Sequence, residues 1–416
     1  MSKIKHCAID ITTGCNYDAV IERVMNGSLL QEYIHLPGIT GVLYSHITIN
    51  KIIEEELLHD HFIITTATNN SLKSMSSGEQ KKALLQYLIQ QEPAFMVIDN
   101  VLDNLDTAAQ EHIVKDLTEL ATHTMIIQVI KRKKDLLSFI ETVFTVQHNC
   151  IVKQQPVDEY LKGKKVIAEN YFSVAIPPAL QQYELPAGPL VQLHRVCVSY
   201  DGRPVLDHIN WTINPGEFWQ LAGPNGSGKS TILSLITGDN PKGYGQNIQL
   251  FGMQKGSGET VWDIKQHIGY LNATMTQFFP RLDSVEKMIL SGFFDSIGLY
   301  RIPNETQVKT AHAWLHTIHL FEERNTPFCF LSLDKQRMVL VARAMVKHPP
   351  LLILDEPVSG LDDDEVVLFT ALINKIAAAT TTAILYVSHR PEQGLEPQHV
   401  FELQPSVNGA AGIIKK

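Results

Sequence analysis

Residues 223–230 read GPNGSGKS and are followed by Thr231, a run that fits the pattern GxxxxGK[ST]. That pattern wraps backbone amides around phosphate groups. Gly223, Gly226 and Gly228 allow close approaches that a Cβ would forbid. With Pro224, Asn225 and Ser227 they form a loop whose amides, together with a helix N-terminus, surround an anion with positive partial charge. Lys229 is placed to reach the β- and γ-phosphates of a nucleotide, and the Ser230 hydroxyl to take one position on Mg²⁺. Farther along the chain, residues 351–357 read LLILDEP. Asp355 there can hold Mg²⁺ through water, and Glu356 can orient or activate an attacking water. His389, in ILYVSHR, can reach the γ-phosphate. Taken alone, His389 reads as an ordinary surface residue and a strand ending in Asp-Glu is common. Phosphoryl transfer needs mainly positioning and electrostatics, so a cation, a metal and one water-orienting group suffice.

These residues need particular elements to carry them. An apolar strand over Phe218–Ala222 leads into the glycine loop, and a helix over Ser230–Ile236 leads out. Leu351–Leu354 and Ile384–Val387 read as buried strands. The unit opens near Leu190 with strand-like VQLHRVCVSY and turns at Asp201-Gly202. Strands alternating with helices predict an α/β core with a largely parallel sheet. Helical periodicity from about Pro280 to Arg343 predicts a helical insertion.

The chain also repeats itself. Residues 75–106, MSSGEQKKALLQYLIQQEPAFMVIDNVLDNLD, lie without a gap over residues 331–362, LSLDKQRMVLVARAMVKHPPLLILDEPVSGLD. Ser76 falls on Ser332, Gln80 on Gln336, Pro93 on Pro349, Asp99 on Asp355, and Leu105-Asp106 on Leu361-Asp362. Each copy reads as a polar turn, an amphipathic helix, a proline break, a buried strand ending in Asp, and a loop ending in Leu-Asp. Between the copies, Pro156, Pro177, Pro178, Pro186 and Pro189 mark a linker with a short helical piece around Val157–Asn170. The expected division is 1–148 and 190–405 for the two copies, 149–189 for the linker and 406–416 for a tail.

Composition excludes several classes. The 416 residues are 44% hydrophobic and 19% charged, which is ordinary for a globular chain and argues against disorder. No apolar run approaches the roughly 18 residues of a spanning helix. The N-terminal MSKIKHCAID lacks the form of a secretion signal. Five scattered cysteines, never in CxxC, argue against a disulfide framework or a structural zinc site and suit a reducing cytosol. A net charge of −9 disfavours a chain whose main work is coating nucleic acid.

The motifs together resemble the ATP-binding cassette (ABC) ATPases. VSYDGRPVL, LITGDNPKGYGQNIQLFG, GSGETVWDIKQHIGY and ILSGFFDSIGLY are similar to the ModF (PhrA-type) group of soluble tandem-cassette ATPases associated with molybdate transport. The resemblance implies a P-loop NTPase fold with the ABC-type helical insertion, in two tandem cassettes of which the first is incomplete. It implies ATP and Mg²⁺ as ligands. Gly223–Thr231 match the Walker A loop, Ile353–Glu356 the Walker B strand with its catalytic Glu, and Ser359–Asp362 the D-loop. His389 matches the switch histidine. Tyr200 matches the aromatic that stacks on adenine, with packing an equal alternative.

The chain departs from the family in complementary ways. ATP in this family lies between one Walker A loop and the LSGGQ signature of another cassette. The second copy's own signature, Leu331-Ser332-Leu333-Asp334-Lys335, lacks both glycines, and Asp334 would bring a carboxylate toward the γ-phosphate. Two such charges about 4 Å apart repel by roughly 1 to 4 kcal/mol. The first copy's Met75-Ser76-Ser77-Gly78-Glu79 keeps a Ser and a Gly ahead of a helix. That copy shows no GxxxxGK[ST] in the 74 residues before Met75, places Asn100 where Glu356 stands, and brings Lys131 about where His389 falls. It is either eroded or begins late. The expected outcome is one competent site, with Lys229, Glu356 and His389 served by Ser76, Ser77, Gly78 and Glu79, and one dead site. The pairing is between cassettes of one chain or in a homodimer.

At the Q-loop the family's Gln falls at Ala273, with Gln277 four residues on. The resemblance implies a cytoplasmic ATPase, peripheral at the inner membrane face, serving a transporter subunit for a molybdate-like oxyanion. Phe293–Tyr300 is its candidate docking stretch, with core packing of the insertion as the alternative. The other reading is a soluble, non-transport ATPase acting on a nucleic acid or a protein. The basic run Lys131–Lys134 is brief and reads as a solvated helix start.

Overall fold

The computed structural model describes residues 4–12, 15–34, 41–59, 62–64, 71–75, 77–100, 102–103, 105, 107–162, 171–279, 282–389 and 391–415. The chain divides into two compact units, Met1–Lys165 and Val166–Lys416.

In the first unit the elements run β1 (Cys7–Ile11), α1 (Tyr17–Met25), β2 (Gly41–Tyr44), α2 (His46–His59), α3 (Ser77–Ile89), β3 (Phe95–Asp99), α4 (Thr107–Leu120), β4 (Met125–Ile130), β5 (Thr142–Gln147), β6 (Cys150–Pro156) and α5 (Val157–Leu161). Six strands form one sheet in the order β2-β3-β4-β1-β5-β6. All neighbours are parallel except β5 and β6. Because successive side chains of a strand face opposite sides, β3 feeds two cores. Met96 and Ile98 pack with the helices of one face, and Phe95 and Val97 with α1 on the other.

The second unit begins with β7 (Val191–Tyr200), β8 (Arg203–Ile213), β9 (Phe218–Ala222), α6 (Lys229–Ile236), β10 (Asn247–Leu250), β11 (Met253–Gln254), α7 (Val261–Lys265) and β12 (Ile268–Asn272). The helical insertion follows, as α8 (Val285–Ser291), α9 (Glu305–Thr317) and α10 (Leu333–Met345). The unit closes with β13 (Leu351–Asp355), α11 (Asp363–Ala379), β14 (Ala383–Val387), β15 (His399–Gln404) and β16 (Ala411–Lys415). Its main sheet, β12-β13-β14-β9-β15-β16, has the same order as that of the first unit, counted strand for strand. The parity repeats too: Leu352 and Leu354 face the helical side, Leu351 and Ile353 the other. Here that other side is covered by an antiparallel sheet, β11-β10-β7-β8, with Trp211 stacked on Phe401 at 4.3 Å. The first unit shows no such sheet among its described residues.

Three expected boundaries move. Cys150–Pro156 is not linker but the edge strand β6, hydrogen-bonded to β5. The tail contains β16, paired with β15. The helix expected over Val157–Asn170 is observed over Val157–Leu161; residues 163–170 lie outside the described residues. The proline-rich stretch is held on the second unit: the Tyr183 hydroxyl donates to Gln266 O at 3.3 Å and Lys375 Nζ to the Val174 carbonyl at 2.5 Å.

Candidate active site

The central strand β9 delivers the glycine loop, and α6 starts at its end. Gly223 and Gly228 are required there. Gly223 has φ +151°, and a Cβ would sit 2.8 Å from Ser227 Oγ and 3.0 Å from Leu403 O. Gly228 caps α6 with φ +95°, and a Cβ would meet Leu206 at 2.7 Å. Lys229 Nζ donates to Gly223 O at 2.7 Å and to Pro224 O at 3.0 Å, which folds the ammonium back over the loop. The hydroxyl of buried Ser227 finds no hydrogen-bond partner among the described residues.

A cavity of about 420 Å³ opens above this loop. Its walls include Asn225, Gly226, Gly228, Lys229, Ser230, Thr231, Asp355 and Glu356, which reach it from the loop and from the end of β13. Gly223, Pro224 and Ser227 lie in the same loop but do not line the cavity. Asp355 is pushed up to about 6 by burial and by neighbouring Glu356, against the stabilising Tyr270 hydroxyl and Lys229. Tyr270 donates to Asp355 Oδ2 at 3.3 Å. Glu356 turns the chain with φ +46°, so that Oε1 stands 3.4 Å from His389 Nδ1. His389 is nearly buried, and its Nε2 has no partner among the described residues. Ser230 and Asp355 are hard oxygen donors beside one another in this cavity, the kind Mg²⁺ takes; the buried carboxylate gains most from a cation because it is desolvated.

Other expected residues stand apart. Tyr200 is outside the cavity wall, 40% exposed, and its hydroxyl accepts from Asn240 Nδ2 at 2.8 Å. Ala273 lines the cavity at the expected Q-loop position, and the Gln277 side chain lies outside the described residues. Asp362 N-caps α11 through a reciprocal capping box with Glu365. Asp334 lies in the first turn of α10, with Oδ1 buried and unpartnered among the described residues. Of the first copy's signature, Ser76 lies outside the described residues, as does the Ser77 side chain. Gly78 and exposed Glu79 lie in the first turn of α3.

The equivalent position in the first unit holds a feature the sequence reading missed. Strand β1 is central, as β9 is, and is followed by a five-residue connection, 12–16, into α1. The first copy therefore contains a central strand followed by a helix, in the order that carries a phosphate loop, without its sequence. Tyr17 opens α1 as Lys229 opens α6. Its hydroxyl donates to Asp99 Oδ1, the counterpart of Asp355, and Lys131 Nζ lies 5.2 Å over its ring. Burial holds the Asp99 carboxyl above its ordinary range while Tyr17 and Lys131 favour its charge. Register places Lys131 opposite His389: Asp99 pairs with Val129 as Asp355 pairs with Val387. Asn100 has φ +47°, the turn Glu356 makes, with an amide in place of the carboxylate. A pocket of about 330 Å³ remains, lined by Tyr17, His46, Lys81, Asp99, Asn100 and Lys131 among others. The basic run is not a solvated face, since Arg132 is 4% exposed and Lys133 Nζ lies 5.3 Å over the Tyr160 ring.

Residues 206–359 match a family model described as ABC transporter. The ABC transporter ATP-binding protein ModF of Escherichia coli K12 is 36% identical over 364 residues, covering 83% of this chain and 74% of the relative. The uncharacterized ABC transporter ATP-binding protein YlmA of Bacillus subtilis is 32% identical over 49% of this chain and 77% of its own. Among solved structures, a model of ribosome-bound archaeal Pelota and ABCE1 shares the fold at TM-score 0.65 and 14% identity, over 98% of this chain and 74% of that one. The protein is a member of the ABC family of ATP-binding proteins and an ATPase, whose two units repeat one sheet order.

Proposed function

We propose that the chain turns over one MgATP at a time, in the second unit, and that the first unit contributes a signature turn rather than a second active site. The observation that carries this is the contrast between equivalent positions. Lys229, Asp355 and Glu356 line one cavity with His389 behind Glu356, whereas Tyr17, Asp99, Asn100 and Lys131 occupy their places in the first unit.

The roles follow from geometry. The loop amides and Lys229 bind the β- and γ-phosphates, with Lys229 exchanging the carbonyls of Gly223 and Pro224 for phosphate oxygens. Ser230 and Asp355 would hold Mg²⁺, which supplies positive charge against that developing on the phosphoryl oxygens. Glu356 accepts a hydrogen bond from the attacking water and aims it. His389 is fixed through Nδ1 beside Glu356 and offers Nε2 to the γ-phosphate. Ring tautomers are free to match the need. Closure needs a signature turn from a second cassette. Asp334 makes the second copy's turn a poor one, because its carboxylate occupies a helix N-terminus that would otherwise receive the anion. Gly78 and Glu79 stand in the first turn of α3, where the first copy's signature falls and no carboxylate takes the place of Asp334 at the second helical position.

The test is nucleotide stoichiometry with turnover. One ATP per chain, bound with unchanged affinity by Glu356→Gln but hydrolysed on the order of a hundredfold more slowly, supports the reading. Two equivalent ATP per chain would contradict it.

For the work output we propose association with a transporter subunit at the cytoplasmic membrane face, with a molybdate-like oxyanion as cargo. No described helix is long and apolar enough to cross a membrane, so a membrane role needs a partner. In the candidate docking stretch, Phe293 and Leu299 pack on the core, while Ile297 and Tyr300 are exposed; Ile297 lines a groove of about 450 Å³ with Trp262. The alternative, a non-transport ATPase with a protein or nucleic-acid partner, is favoured by Ala273, which lacks the coupling side chain. Sedimentation with membranes that is lost on Ile297→Asp supports the transporter reading; a soluble preparation carrying RNA or DNA supports the other.

A further inference from the structure

Strands β7 and β8 shift register at three places, and at one of them Val196 pairs with Ile209 and Val198 with Leu206, so that Cys197 alone opposes Asp207 and His208. Such a bulge places two residues against one and re-aims their side chains. His208 takes φ +48°, while Val196, Val198, Leu206 and Ile209 are buried in the core behind it. Cys197, Asp207 and His208 therefore project together from the outer face, away from the nucleotide loop's cavity wall. Their donor atoms lie within 4.8 Å of one another. Cys197 Sγ is 3.9 Å from Asp207 Oδ1, and His208 Nδ1 is 2.5 Å from that same oxygen.

We propose that this bulge is a binding site for a borderline divalent cation of the Zn²⁺ class. Thiolate, imidazole and carboxylate are the donors zinc takes, at about 2.3, 2.0 and 2.0–2.2 Å. Tetrahedral geometry at those lengths separates donor atoms by about 3.3–3.6 Å. The observed 3.9 Å must close slightly and the 2.5 Å must open, movements within reach of side-chain torsions. Three protein donors on an exposed face leave the fourth position to water. The support around the donors is already built. Gln246 accepts from Cys197 N at 3.4 Å and donates to Cys197 O at 2.6 Å, fixing that backbone on both sides. Asn210 accepts from Arg195 N at 3.1 Å and donates to His208 O at 2.9 Å, holding the bulge. The His208 amide donates to Cys197 Sγ at 3.2 Å, which fixes the sulfur's place at the bulge. Binding replaces the thiol proton, which goes to solvent, and displaces the His208–Asp207 hydrogen bond.

The test is Co²⁺ and Zn²⁺ titration of the full chain without nucleotide. A thiolate-to-cobalt absorption band at one equivalent, displaced by Zn²⁺, is expected. It disappears in Cys197→Ser, and the affinity falls on the order of tenfold or more in His208→Asn. His208 is exposed, so the latter variant keeps the fold even if the former disturbs it. Absence of the band in the unmodified chain, its persistence in Cys197→Ser, or unchanged affinity in His208→Asn overturns the proposal.

Discussion

Asp355 and Tyr17 show how single residues separate the two units. Asp355 carries a native pKa of about 6, above the roughly 3.9 of an unfolded Asp. The native state therefore holds this proton more tightly, and its contribution to stability declines as pH rises from about 4 through 6. A cation on the carboxylate reverses the trend. Apparent Mg²⁺ affinity should fall as pH drops through 6, by about tenfold at pH 5 relative to neutral pH. Mg²⁺-induced thermal shifts measured from pH 5 to 8 check this; a flat profile would be against it. In the first unit the Tyr17 hydroxyl and the Lys131 ammonium stabilise the corresponding carboxylate, Asp99. Tyr17→Phe leaves a buried carboxylate short of a donor and should cost about 1–3 kcal/mol, read as a lower urea midpoint by circular dichroism. No motif scan could have found this tyrosine. Its identity as the counterpart of Lys229 emerges only when β1 is seen as the sheet's central strand.

At the scale of elements, most of the fold was legible because burial imposes period and parity. The strands at Leu351–Asp355 and Ala383–Val387 are buried hydrophobic runs, the first as far as Asp355 at its end, for the reason a two-sided parallel sheet demands. The ungapped repeat was legible because α3 and α10 each lead, through a proline break, into such a strand. The edges were not legible. CIVKQQP and AGIIK pair on one side only, so their sequences alternate little and read as linker and tail. Yet β16 helps to shield the ring of Phe401, which also stacks on Trp211. Phe401→Ala should cost about 3–5 kcal/mol. All four tryptophans, Trp211, Trp219, Trp262 and Trp314, are in the second unit, so the tryptophan-emission transition should shift to lower urea. An unshifted emission midpoint would deny this core its weight.

For the whole molecule, duplication followed by divergence leaves the same sheet order with different chemistry at the same corners. Asn100 and Glu356 share a left-handed turn, which asparagine tolerates readily and glutamate less so. The sequence repeat predicts a division of labour from a damaged signature and a missing GxxxxGK[ST], and the arrangement around Tyr17 is in keeping with the proposed single site.

The most direct measurement is the ATPase rate per chain against protein concentration, for the unmodified protein and Gly78→Asp, with Glu356→Gln as the blank. Among the described residues a Cβ at Gly78 meets Leu105 alone, at 3.6 Å, and an acidic residue suits the first turn of a helix, so this variant is expected to fold. The account predicts a concentration-independent rate that drops at least tenfold in Gly78→Asp, the cost of placing a second carboxylate against the γ-phosphate. A rate that rises with concentration and ignores Gly78→Asp would contradict it, and would assign closure to a second copy of the chain.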